Sequence, residues 1–388
     1  MPSTISISRT TPFTSSQAGA THGDPVILDP NSTSTGDRHK ETPKRFGAEV
    51  QSVSSSRGGA TNPPSPEVRA AARVKAALLG QQVRRVISVE SVGRNIVKTT
   101  LQPSNNLPHH LSVPAGSALS RLDRLVQHGS AYVRLTVVGG DRRADVVGTN
   151  NGEKPVDPSR LGDRVPPTSA FVNGGYFVHK ANLHSNGGRE LPDIGVPIGP
   201  TSTRGDHAPI PEPWERDYGH VIIGKDIGLT SGPVLAIDGK PQSLPDDDRF
   251  KYRVKGEDNP LNKFSGGLTH ASDCNERAAI SVTPGLQGAQ GNVVMHALVT
   301  GGNRKVGASL QTWQQITHVG ARAAQGQDFG KTQGNESTLN LDGGGSVFLG
   351  VRDENGVTMH ARGGPSTDPV RPVANIVFSQ PDGTADHS

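Results

Sequence analysis

Four short stretches of this chain set polar side chains on tight glycine turns. They are Asn173-Gly174-Gly175-Tyr176-Phe177, Ser231-Gly232-Pro233-Val234-Leu235 with Asp238-Gly239-Lys240 behind it, Arg277-Ala278-Ala279-Ile280 with Glu276 just before it, and Asn340-Leu341-Asp342-Gly343-Gly344-Gly345-Ser346. Glycine lets backbone N–H groups approach an anion with no Cβ in the way, and consecutive amides can form a nest for phosphate. Asp342 and Glu276 bring carboxylates, Arg277 a guanidinium fork, and Asn173 a side-chain amide. That set can bind a phosphorylated or hydroxylated ligand and move a proton on it. Taken singly, each stretch reads first as a hairpin turn.

Other chemistries lack their residues. His109-His110 stands in a Pro- and Asn-rich stretch with no further ligands at metal spacing. The single cysteine, Cys274, has no marked base partner and can form no intramolecular disulfide, which points to a reducing compartment. No Walker loop or dinucleotide fingerprint occurs, so no metal or cofactor is expected. Forty basic against 36 acidic residues is too even a balance for a nucleic-acid partner. No apolar run reaches the roughly 18 residues of a membrane span, and the N-terminus has no signal-peptide core.

The elements that must position these turns are mostly strands. The spacing predicts strands over residues 83–89, 96–101, 131–138, 169–172, 219–223, 234–237, 279–282, 293–299 and 374–378. In residues 131–138, Val133, Leu135 and Val137 fall on one side and Tyr132, Arg134 and Thr136 on the other. Apolar residues at 310, 313, 316 and 319 predict a helix with Gly320 near its C-terminus and Trp313 in the core. The connections are too short and glycine-rich for repeated βαβ units. The expected fold class is therefore α+β, a mainly β-sheet domain with a few packed helices. With hydrophobics at 32% and aromatics at 4%, part of the chain cannot build a core. Residues 1–65, rich in Ser and Thr, read as a disordered leader. Residues 66–124 read as a helix, opening at Ser65-Pro66-Glu67, and linking strands; residues 125–380 read as the main domain and 381–388 as a tail.

In this order and spacing the motifs resemble the phosphodiester glycosidase family, the enzymes that remove N-acetylglucosamine from its phosphodiester link to mannose. The resemblance runs over roughly residues 125 to 380. It adds Gly307-Ala308-Ser309-Leu310 as a helix start and Arg371-Pro372-Val373-Ala374-Asn375 as a closing strand. The chain departs from the family pattern at Glu276, where proline is usual, and at Ala278 and Ser281, where threonine and glycine are usual. Residues 183–217 and 323–337 read as insertions.

The resemblance implies a hydrolase cleaving a sugar-1-phosphodiester at the anomeric carbon. Phosphate is a good leaving group, so a carboxylate to activate water and a cation to hold phosphate suffice. Asp342 is the expected carboxylate, Arg277 the phosphate clamp and Glu276 a second carboxylate. Asn173, Gly174, Gly175, Ser231, Gly232, Gly343, Gly344, Gly345 and Ser346 are the expected substrate-binding residues. The partner is a sugar-phosphate small molecule or a glycoconjugate. The alternative is a binding module of the same fold with its chemistry lost, which the three departures keep open. The leader also resembles, by composition, the export region of bacterial type III effectors. That implies delivery into a host cytosol with a secretion chaperone on the leader; without it, the setting is the bacterial cytoplasm.

Overall fold

The computed structural model describes residues 5–9, 85–103, 118–140, 144–149, 154–177, 195, 197, 201, 219–223, 226–244, 271–284, 291–324 and 335–381. The expected helix at Ser65, His109-His110, residues 10–65 of the leader, and the 381–388 tail beyond Pro381 lie outside these. Residues 1–12 and 64–388 form one compact unit and residues 13–63 a second.

The first unit is a mainly β α+β fold of three antiparallel sheets. The largest has eight strands, ordered β10-β9-β13-β11-β12-β4-β3-β2. These are β2 (Arg85–Gly93), β3 (Ile96–Pro103), β4 (Ala131–Val138), β9 (Val234–Ile237), β10 (Lys240–Pro241), β11 (Arg277–Thr283), β12 (Asn292–Val299) and β13 (Ser337–Asn340). A five-stranded sheet runs β15-β14-β6-β16-β5, from β5 (Ala144–Gly148), β6 (Ser169–Asn173), β14 (Phe348–Asp353), β15 (Gly356–Arg362) and β16 (Asn375–Ser379). A three-stranded sheet joins β1 (Ile5–Arg9), β7 (Gly219–Ile223) and β8 (Asp226–Ser231).

The sheets meet over one apolar core. Val133, Leu135 and Val137 of β4 point into it with Ile280, Met295, Val172, Leu349, Val377 and Leu229. The other face of the large sheet is covered by α3 (Leu310–Ala324), so β4 is buried on both sides rather than half-exposed. Tyr132 meets Trp313 of α3 edge-on at 6.4 Å, and Arg134 donates to the Gly320 carbonyl. Trp313 is buried, as its place on the apolar stripe predicts. Gly320 sits inside the helix, not at its end. A Cβ there would run into the Tyr132 hydroxyl, so this glycine serves packing and not termination. Ser309 caps the helix, its Oγ accepting from the Thr312 amide at 3.3 Å. A second core lies on the outer face of the five-stranded sheet, where Phe171 and Phe348 stack at 5.7 Å beside Leu161 of α2 (Pro158–Gly162). A further α-helix among the described residues, α1 (Ala118–Gln127), packs on α3.

Contrary to the expectation for the leader, its first residues are structured. Ile5–Arg9 pairs antiparallel with β7, Ile5 opposite Ile223 and Ile7 opposite Val221, and both isoleucines are buried in the main core. The reason is local: Ile-Ser-Ile alternates with period two, and the Ser/Thr-rich average of the leader hides that pattern.

Candidate functional site

The loop Leu341 to Ser346 leaves the C-terminal end of β13 and lies where β6, β11 and β16 also end or begin. Two of its glycines are required by the backbone. A Cβ on Gly343 would stand 2.7 Å from the Glu276 carbonyl oxygen, and Gly344 has φ +60°, the left-handed region. A Cβ on Gly345 would stand 2.9–3.1 Å from the guanidinium of Arg371, so the Arg371 side chain lies across this glycine.

Asp342 is the chemically distinctive group of the loop. Part of its surface is open, yet protein atoms enclose its carboxyl, and loss of hydration raises its pKa from 3.8 to about 6. The nearby Ser346 hydroxyl, the Arg371 charge and the Gly343 amide, which donates to Oδ1 at 2.9 Å, all pull the other way. Ser346 Oγ makes no hydrogen bond of ordinary geometry. Arg371 is exposed and is the cation beside this carboxyl. Its place in the Arg-Pro-Val-Ala-Asn stretch marked it as part of a strand, and sequence spacing alone did not link it to Asp342.

Asn173 is brought directly to the loop. Its Nδ2 donates to the Asp342 carbonyl at 2.8 Å and its Oδ1 accepts from the Phe348 amide at 3.0 Å. It is fully buried, and these bonds make it a tie between β6 and the loop, with both ends of its side-chain amide used. Gly174 and Gly175 are similarly committed. Their amides donate to Asn375, to the backbone oxygen at 2.9 Å and to Oδ1 at 3.0 Å. A Cβ on Gly174 would collide with Asn375 Oδ1, and one on Gly175 with the Thr230 carbonyl.

Glu276, just before β11, and Arg277, its first residue, are also structural in their contacts. Glu276 is buried, and its Oε1 accepts from Thr300 N (2.8 Å), Thr300 Oγ1 (3.1 Å) and Gly302 N (3.4 Å) while Oε2 accepts from Gly364 N (2.7 Å). Four donors on one carboxylate make it a staple across three loops, not an open second carboxylate. Arg277 is buried too, with Nε on the Ala308 carbonyl at 3.0 Å and Nη2 on the Asp273 carbonyl at 2.9 Å. These bonds hold the entry to α3 rather than project a fork to solvent. The expected amide cradle is likewise filled from within: the Gly343 N–H goes to its neighbour's carboxylate and the Gly344 N–H to the Glu276 carbonyl at 2.9 Å.

The departures from the family pattern are built into the interior. Ala278 is core. Ser281 Oγ bonds His296 Nε2 at 2.9 Å and Thr338 Oγ1 at 2.7 Å, and His296 Nδ1 bonds the Tyr132 hydroxyl at 2.8 Å. Burial drives the His296 pKa well below its ordinary value, so this histidine is held neutral under α3.

Ser231 and Gly232 stand behind the turn. The Gly232 carbonyl accepts from the Tyr176 hydroxyl at 2.8 Å and from Asn340 Nδ2 at 3.0 Å. Four buried polar atoms of this junction have no hydrogen-bond partner: Ser231 Oγ, Asn340 Oδ1, Ser346 Oγ and Asn375 Nδ2. Buried polar groups are rarely left so, and their grouping around one turn is where ordered water or a ligand group would be accommodated. Among the described residues no three His, Cys, Asp or Glu side chains are placed to hold a metal ion. No helix there is long and apolar enough to cross a membrane.

What the arrangement can do is therefore narrower than the motif suggests. One carboxyl with a pKa near neutrality stands beside one exposed guanidinium, on a loop fixed by Asn173, Glu276 and the glycines. No protein-family model matches the chain, and no match is found among curated proteins.

Proposed function

We propose that the chain hydrolyses a sugar-1-phosphodiester at the anomeric carbon, with Asp342 as the working carboxylate and Arg371 as the cation facing the phosphate. The observation that carries the reading is the pairing of a carboxyl raised to about 6 with an exposed guanidinium across Gly345. At neutral pH such a carboxylate is mostly ionised and still basic enough to take a proton from water. Water adds to the anomeric carbon, Asp342 takes its proton, and the C–O bond to phosphate breaks with the electron pair leaving on the phosphate oxygen. Arg371 offsets the charge there. The motif order that resembles phosphodiester glycosidases supports the same class. Leader composition supports delivery to a host cytosol. A deletion that tests export has to begin after Arg9, because Ile5 and Ile7 belong to the core.

The commitment of Glu276 and Asn173 to the fold favours a second reading, a binding module for a phosphorylated sugar. One experiment separates the two. The protein is incubated with nucleotide sugars and aryl sugar-1-phosphodiesters, and free sugar is measured by mass. Release that Asp342→Asn lowers about 100-fold or more supports hydrolysis. Binding of the same compounds without release, weakened by Arg371→Ala, supports the module.

A further inference from the structure

The three-stranded sheet connects the N-terminus to the candidate site. Its outer strand is β1, and among the described residues β1 has one sheet neighbour, β7. Five residues pair with β7; Ile5 and Ile7 are buried and Ser6 between them is exposed. Behind β7 lies β8, held by a bond between His220 Nδ1 and Thr230 Oγ1 at 2.9 Å. The Thr230 carbonyl presses on Gly175, and Gly175 and Gly174 in turn anchor the Asp342 amide, which donates to the Gly174 carbonyl at 3.1 Å. A short physical path therefore runs from Ile7 through β7 and β8 to the Asp342 loop.

The strand joins a sheet whose other members begin more than two hundred residues later in the chain, so no hairpin turn fixes its register.

We propose that the edge of β7 is a strand-acceptor groove whose resident ligand is the chain's own Ile5–Arg9, and that this strand acts as an exchangeable latch on the wall behind the Asp342 loop. Recognition is strand addition: backbone hydrogen bonds give the affinity, and two pockets for alternate apolar side chains give the register. Removing the latch turns β7 into an open edge and leaves the pockets of Ile5 and Ile7 wet, so the β7–β8 pair loosens and Gly175 loses its backing.

Two measurements test this, and neither depends on which reaction the site performs. In the wild-type full chain, hydrogen exchange followed by mass spectrometry should show β1 and the β7 amides opening together, at least tenfold faster than β11 and β12. Their exchange only with the centre of the large sheet would overturn the latch, because the strand would then be an inseparable part of the core. In the full-length Ile5→Asp, Ile7→Asp variant the resident strand is disabled, and a fluorescent synthetic peptide of residues 1–12 should bind at least tenfold tighter to the variant than to wild type. Its binding should also restore exchange protection over residues 173–177 and 226–231. Equal or absent binding to the two proteins sinks the acceptor groove, and binding without restored protection sinks the link to the site.

Discussion

Asp342 carries a cost that can be read without any substrate. Its folded pKa of about 6 lies above the ordinary 3.8, so the fold prefers the protonated carboxyl. That preference favours folding fully at low pH and is lost as pH rises from about 4 through about 6. At pH 7 the ionised carboxylate then costs at most about 2–3 kcal/mol, less to the extent that its open side is solvated. Asp342→Asn should therefore raise the melting temperature at pH 7.5 and leave it nearly unchanged at pH 4, while lowering turnover. A melting temperature that falls at both pH values would show that the carboxylate is needed by the fold. The same shift predicts an ascending limb near pH 6 in kcat/KM, which Asp342→Asn abolishes. Glu276 behaves in the opposite way. Glu276→Gln puts an NH2 group against one of the amides that now donate to the carboxylate, and a buried donor left unsatisfied costs on the order of 1–3 kcal/mol. Thermal unfolding should register that loss, with any activity of the folded fraction retained.

At the scale of elements, the glycine turns are joints between strands more than ligand cradles. Gly174→Ala drives a methyl into Asn375, whose Oδ1 and backbone are both fixed by the neighbouring strand, so the junction of β6 and β16 must give. Gly345→Ala meets only the far end of the exposed Arg371 side chain, which can swing away. The first should destabilise by several kcal/mol in chemical denaturation, and the second by less than about 1 kcal/mol while weakening substrate capture through Arg371. Equal losses of stability in the two variants would mean that Arg371 is held as tightly as Asn375. This contrast also marks what the sequence could reveal. Alternating β-branched residues located β4, β7, β9 and β12 within a residue or two, and the 310–319 stripe located α3. Residues 144–148, 226–231, 348–353 and 356–362 went unread as strands because glycine, aspartate and histidine interrupt their periodicity. Within the site, Asp342 stood out through its glycines. Arg371 did not, because its value comes from lying across Gly345, a contact between segments 26 residues apart. Asn173, Arg277 and Glu276 were found as special positions but are special as ties, a difference that depends on partners no local pattern names.

For the whole molecule, the reading of residues 1–65 as one disordered leader fails at its start, where Ile5–Arg9 forms a strand. The first twelve residues belong with the body. Replacing residues 13–63 with a Gly/Ser tract of equal length should leave the melting temperature within about 2 °C of wild type. Deleting residues 1–12 should lower it clearly, since two buried isoleucines are worth roughly 1.5–3 kcal/mol each. If both changes destabilise equally, the second unit supports the first.

The pairing of Ile5 with Ile223 has a consequence in time. A ribosome adding about 5–20 residues per second makes β1 first and then needs on the order of 10–40 s more before β7 exists. Throughout that interval the nascent chain presents an apolar, strand-competent N-terminus with no native mate. The three-stranded sheet therefore cannot close until β8 has been made, and any factor that holds the emerging N-terminus decides whether the sheet closes at that point or waits.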